Sequence, residues 1–527
     1  MKDVLPVTLG PGTVTPETVQ LVADGRRIEL APEVTELMAR SRAVVEEALI
    51  ADAPVYGLNT QLGAGRDERV SPHELESFQR RVIANHQGGI GTPLPASEVR
   101  AIITARLAGL SRGGAGVRPE LARALADLLN AQVTPVVPTR GSVGAGDLTQ
   151  LAAVGAVLTG WGEAEYEGHR LPGGEALAAA GLEPVTLAPH EALALLSSNA
   201  YSVGVGSLVL RRLDELVQAA DRAVALTLEG LGARGGGGNL SPFAAEVQAA
   251  RGGAGQTASA SLVRQLLAGS FLERPDRQVT VQDPLSVRTA PQLHGALRER
   301  VEATRTELTV ELNARAENPL VVLDASDADL TSEAHGAGVG GDPGFAGDVS
   351  IAVSGRMISG GNFQALSLAL DFESLRLTLA HVAAASERRI GQLSDLLRPL
   401  RGSGTSVLPG LTWYAAGSAL AELRQLAAPA TLGSTSLSGV EDHSSLAPTA
   451  LQLLQRSVAL TGEVLAIEAL HAAEVLRVTS SEGGSDVATL GHGTAPLAQG
   501  LGRLLTSGMA AAALVEAALV LLVAEPA

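Results

Sequence analysis

The chain has 527 residues, a formal net charge of −17 and 46% hydrophobic residues, but only 2% aromatics. Its acidic balance, with no basic patch interleaved with aromatics, argues against a nucleic-acid partner. The absence of cysteine removes disulfides, thiolate nucleophiles and Cys-ligated zinc, so no metal is expected. The core must then come from Leu, Val and Ala, a composition that suits helix packing.

Residues 1–10 lack a basic stretch followed by an apolar core, so no signal peptide is expected. Together with the missing cysteine this predicts a cytoplasmic protein. Roughly the first 60 residues are short segments broken by Pro and Gly. Leu75, Phe78 and Val82 then fall at i, i+3 and i+7, one face of a helix that Gly88-Gly89 ends. His86 continues that stripe and is expected to point inward. Residues 99–110 and 119–131 read as two more helices, parted by Gly113-Gly114. Residues 147–159 read as an apolar helix with Asp147 at its start, where a carboxylate satisfies free N–H groups.

Long helices are expected over 207–231, 291–316, 350–394, 414–427 and 447–476, several well beyond the average of about 11–12 residues. Few strands and long helices predict a mainly α fold. The expected division is an N-terminal domain over 1–200 and an elongated bundle of long and C-terminal helices over 201–527. The glycine-rich stretches 230–238 and 336–347 read as surface loops. The second holds Gly336, Gly338 and Gly341 in G-x-G-x-x-G spacing, but no strand–turn–helix surrounds it, so no dinucleotide site is expected. The apolar run 509–524 is interrupted by Glu516 and falls short of the roughly 20 uncharged residues a spanning helix needs. It reads as a buried or oligomer-facing helix, with no membrane partner.

Several islands carry chemistry. They are Tyr56-Gly57-Leu58-Asn59-Thr60-Gln61-Leu62-Gly63, Ala84-Asn85-His86, and Gly141-Ser142-Val143-Gly144-Ala145-Gly146-Asp147-Leu148. Further along come Gln282-Asp283-Pro284-Leu285-Ser286-Val287-Arg288, Glu311-Leu312-Asn313 with Asn318-Pro319-Leu320, Ser359-Gly360-Gly361-Asn362-Phe363, Ser386-Glu387-Arg388-Arg389-Ile390 and Glu441-Asp442-His443. In content and order they resemble the histidine/phenylalanine/tyrosine ammonia-lyase family over nearly the whole chain.

That resemblance implies non-oxidative loss of ammonia from histidine or a similar aromatic L-amino acid, giving an α,β-unsaturated acid. It also implies a homotetramer whose sites draw on three subunits. Such a reaction needs a base for the weakly acidic β-proton, an electrophile, and a bidentate cation for the substrate carboxylate. Tyr56 is the expected base, Arg288 the carboxylate clamp and Glu422 the carboxylate near the substrate amine. His86 would read the substrate ring, with Gln282 and Asn313 orienting substrate. Apart from the resemblance, Tyr56 also suits turn packing, Arg288 a structural ion pair, His86 a core position and Glu422 a solvated helix face.

The family's electrophile is a methylidene-imidazolone (MIO) that forms from an internal Ala-Ser-Gly. Its loop here is Gly144, Ala145, Gly146 and Asp147, and the Ser is missing: Ala145 runs directly into Gly146. Leu285, Ser197 and Gln364 also replace a family Tyr, Asn and His. The first two of these, with the missing Ser, concern the making or holding of the cofactor, a pattern of divergence. Without a side-chain hydroxyl to lose, no exocyclic methylene results. The chain therefore reads either as an ammonia-lyase-like enzyme or as a lyase-inactive relative that binds amino acids or serves as a scaffold.

Overall fold

The computed structural model describes residues 5–234, 236–277, 279–323, 349–351, 355–401, 405–433, 440–482 and 489–524. The Gly336/Gly338/Gly341 stretch lies outside them. The described chain is mainly α-helical, with short strands only.

The expected helices form with modest boundary shifts: α1 (Leu75–Asn85), α2 (Ala96–Leu110), α3 (Pro119–Asn130) and α4 (Leu148–Leu158). Pro119 opens α3 at its first position, where its missing N–H costs nothing. The long helices are α5 (Ala200–Arg234), α6 (Ala290–Asn313), α7 (Leu366–Arg401), α8 (Thr412–Leu426) and α9 (Ala447–Ser481). The apolar tail forms α10 (Ala511–Val523), which buries Leu514, Ala518 and Leu522 on one face. Among the described residues, one stretch, 191–234, is long and apolar enough to cross a membrane, but its most apolar window is 94% buried, as in a core helix.

Two expectations fail. The helix expected over 350–394 begins only at Leu366. Before it, Leu320–Leu323 and Val349–Ile351 each pair antiparallel with Gly355–Ile358. A short apolar run fits a buried strand as well as a helix, and only long-range pairing decides. The surface loop expected over 230–238 is instead helical as far as Arg234. A Cβ on Gly230 would lie 3.1 Å from the Leu393 side chain and 3.6 Å from the Ala472 backbone. That glycine serves close helix packing rather than a turn.

Two compact units result, and neither is one stretch of chain. The first comprises 1–209, 305–370 and 430–451; the second comprises 210–304, 371–429 and 452–527. The first has a core cluster of Val44, Val45, Ala48, Val55, Leu58, Val321 and Met357. The second packs Ile390, Leu420, Leu423, Leu460, Val464 and Ile467 around the small faces of Ala383 and Ala416.

The second unit also buries charge. Glu468 accepts from Arg389 Nε at 2.6 Å and Nη2 at 2.8 Å, from Ser386 Oγ at 2.6 Å and from Thr227 Oγ1 at 2.7 Å. Both ends of the pair are fully buried, where a carboxylate survives only with its charge and lone pairs answered. The Ser386–Ile390 island is thus a structural clamp.

Candidate active site

The first unit holds an open cavity of about 1100 Å³, lined by Tyr56, His86, Ala145, Ser197, Phe363 and Glu441 among others. Each arrives on a different piece of chain.

Tyr56 sits in a loop that Asn59 staples. The Asn59 side chain accepts from the Val55 N–H and donates to the Ala53 carbonyl, both at 2.9 Å. Gly57 has φ +67°, and a Cβ there would collide with Leu193, so only glycine lets the chain turn this close to its neighbour. The Tyr56 hydroxyl accepts from the Gly63 N–H at 3.1 Å. Burial raises its pKa above the usual phenol value. The Gly63 N–H opposes that shift, Glu441 adds to it and Arg66 opposes it again. His86 ends α1. Its Nδ1–H donates to the Val82 carbonyl at 2.7 Å, which leaves Nε2 as the ring's acceptor.

The loop 141–147 is held from both sides. The Val143 carbonyl accepts from the Leu446 N–H at 2.9 Å, and the Gly144 carbonyl accepts from Ser445 Oγ at 2.8 Å. Ser142 Oγ donates to the buried Gln150 at 2.5 Å. Gly144 and Gly146 have φ +84° and +77°. Asp147 departs from expectation. Its carboxylate does not cap its own helix α4. Instead it accepts from the Ser202 N–H at 2.8 Å, satisfying a free donor in the first turn of α5. The main chain completes the link, since the Asp147 N–H donates to the Ser198 carbonyl at 2.6 Å.

Asn199 points away from the cavity and donates to Glu311 at 3.4 Å. Burial pushes the Asp147 carboxyl up to about 7, against the hydrogen bonds from Ser202 and Tyr201. It pushes Glu311 up to about 7 as well, opposed by Asn199 and reinforced by Glu307 and Asp147.

A methylidene-imidazolone does not fit these residues. No hydroxyl stands between Ala145 and Gly146. The nearby Ser142 hydroxyl is spent on Gln150, and Val143, whose nitrogen would have to attack, is β-branched. Ser197, where the family holds the ring with an Asn, lines the cavity, and Asn199 is engaged elsewhere.

Tyr56, His86 and Ala145 therefore share one cavity. Asn313 does not line it. Its amide clips the backbone of Val14, accepting at 2.9 Å and donating at 2.7 Å. Gln282, Arg288 and Glu422 belong to the second unit. There, Arg288 Nε is buried with no hydrogen-bond partner among the described residues. Glu422 is paired on a half-exposed surface with Arg456, at 2.7 and 3.0 Å, and the pairing lowers its pKa. Glu441 lines the cavity with Tyr56, whose pKa it helps to raise, and Asp67 is a second acid there. Glu441 stood in a recognised island, Glu441-Asp442-His443, but nothing local marked it as an acid of the site.

Fold and cavity together describe a mainly α-helical scaffold with an open, partly aromatic cleft in its first unit. A sequence model of the aromatic amino acid lyase family matches residues 14–495, and the chain belongs to that family. It is 39% identical over 485 residues to a histidine ammonia-lyase of Anaeromyxobacter sp. (strain K), covering 88% of each chain. In structure it resembles the ergothioneine-degrading enzyme ergothionase from Treponema denticola, solved with desmethyl-ergothioneine sulfonic acid (TM-score 0.84, 26% identity, 98% of each chain). It also resembles histidine ammonia-lyase from Trypanosoma cruzi (TM-score 0.80, 25% identity, 98% of this chain and 93% of that one). These comparisons lend no support to a lyase-inactive binding or scaffold protein.

Proposed function

We propose that this chain eliminates an amine from an aromatic amino acid with an imidazole-type ring, leaving an α,β-unsaturated acid. The observation that carries this reading is the convergence of Tyr56, His86 and Glu441 on one cavity. Tyr56 serves as the base for the β-proton. His86 offers Nε2 to a ring N–H. Glu441, rather than Glu422, faces the substrate's cationic nitrogen. Relatives named for histidine and a neighbour named for degrading ergothioneine support an imidazole-type ring.

The carboxylate clamp remains Arg288, with Gln282 beside it in sequence. We propose that a second copy of the chain delivers both within a cytoplasmic homotetramer. An uncommitted, partly buried guanidinium is suited to a bidentate carboxylate.

The test is product formation. Purified protein is incubated with histidine and with histidines methylated on the α-nitrogen, and the unsaturated acid is followed by its ultraviolet band and by mass spectrometry. Tyr56→Phe is expected to abolish turnover, and His86→Leu to raise KM for imidazole substrates. No unsaturated acid from any of these compounds refutes the reading.

A further inference from the structure

We infer that a narrow polar pocket in the first unit binds a single water molecule, which joins the Arg106–Glu317 ion pair to Glu311 and so fixes the turn from which the 141–147 loop hangs. This is independent of the elimination reading, because it concerns the support behind the cavity and not the reaction within it.

The pocket lies where α2, the start of α5 and the chain leaving α6 meet. Its volume is about 20 Å³, and Arg106, Ser198, Asn199, Glu311 and Glu317 line it beside small residues such as Gly109. A water needs roughly 10–15 Å³ and about two to four polar partners. The space therefore takes one water and little more.

The lining supplies those partners. Arg106 Nη1 donates to Glu317 at 3.3 Å and Nη2 donates to the Ala194 carbonyl, but Nε has no hydrogen-bond partner among the described residues. Glu317 Oε2 has none there either. Both side chains are only 3% exposed, and buried polar atoms are almost always answered by protein or by ordered water. Burial pushes the Arg106 pKa down and the Glu317 pKa up, each against the pull of the other. The direct pair alone thus does not offset the desolvation of its two ends. A water accepting from Arg106 Nε and donating to Glu317 and Glu311 answers all three groups at once.

Glu311 carries the effect to the site. Its carboxyl accepts from the Asn199 amide at 3.4 Å, too long to hold that side chain firmly by itself. Water that pins the carboxyl steadies the contact. Asn199 immediately precedes α5 and follows Ser198, whose carbonyl accepts from the Asp147 N–H at 2.6 Å. Asp147 closes the loop that brings Ala145 to the cavity. Neither Glu311 nor Glu317 lines that cavity; both are positioning residues that act through the 197–199 turn.

The experiment joins crystallography to hydrogen exchange read by mass spectrometry. A high-resolution crystal structure of the full chain is expected to show one water within hydrogen-bond distance of Arg106 Nε and of Glu311 or Glu317. Glu311→Leu is expected to speed exchange at the Asp147 N–H roughly tenfold or more, as loss of a buried hydrogen bond does. Glu311→Gln, whose amide oxygen still accepts from Asn199, is expected to stay near the wild-type rate. In Gly109→Ala the new Cβ would lie 3.3 Å from Arg106 Nη1 and crowd the water. That variant is expected to lose the water and to speed the same exchange, although alanine favours a helix over glycine. A dry pocket in the wild-type crystal, or Arg106 Nε bonded to a protein group, overturns the inference. Wild-type exchange in Glu311→Leu, exchange in Glu311→Gln as fast as in Glu311→Leu, or loss of the water in Gly109→Ala without faster exchange overturns it as well. None of these results touches the elimination reading.

Discussion

Substituting Gly144→Ala probes the loop that shapes the cavity floor. Gly144 has φ +84°, and an added Cβ would collide with Ser445 Oγ and lie 2.8 Å from the Leu446 nitrogen. The left-handed backbone costs an L side chain about 1–2 kcal/mol. Displacing Ser445 forfeits its 2.8 Å bond to the Gly144 carbonyl, about 1 kcal/mol more. The sum, about 2–3 kcal/mol, corresponds to a roughly 30- to 150-fold rise in local opening. A local readout is preferable to a global melt in a chain with two units. The Leu446 N–H, which donates to Val143, reports it directly through hydrogen exchange. Ser445→Ala alone should cost about 1 kcal/mol, and the double variant should fall short of additivity by a similar amount. Protection of the 444–447 segment unchanged within threefold in Gly144→Ala would refute the argument.

Asp147→Asn tests the buried acid. Its folded pKa, about 7, lies above the unfolded value of about 3.9. Its protonated form therefore stabilises the fold below about pH 4, and that contribution, at most about 4 kcal/mol, is lost as pH rises through 7. Relative to wild type, the variant should show a flatter fall in stability between pH 4 and 7 in melts across that range; identical slopes would count against it. Glu468→Gln leaves the buried Arg389 without its counter-charge and should cost about 3–5 kcal/mol in denaturant unfolding, with partial recovery in Glu468→Gln/Arg389→Met. Asn313→Ala unclips the Val14 backbone and should cost about 2–3 kcal/mol, seen as faster exchange around residues 13–15.

Much of this was legible in the chain itself. Helices α1 to α4 follow from apolar spacing and glycine or proline stops, signals confined to a few turns. Tyr56, His86 and the 141–148 loop were each recognisable in their own islands. Other roles depended on residues far apart in the chain. The carboxylate of Asp147 suggested a cap for the helix it precedes, whereas it caps α5, 55 residues on. Glu441 lines the cavity because residues 430–451 return to the first unit, whereas Glu422 lies in the second. Asn313 carried a family position, yet its amide is spent on the backbone of Val14, 299 residues away.

The division has a physical cause. Covalent chemistry and helix periodicity are local: Ala145 followed by Gly146 offers no hydroxyl to expel, in any fold, and a 3.6-residue stripe needs only its neighbours. Which acid faces Tyr56, which N–H a buried carboxylate satisfies, and whether 355–358 is strand or helix depend on packing between distant segments. Those outcomes follow from burying polar groups only where partners await them, and that is settled by the tertiary structure alone.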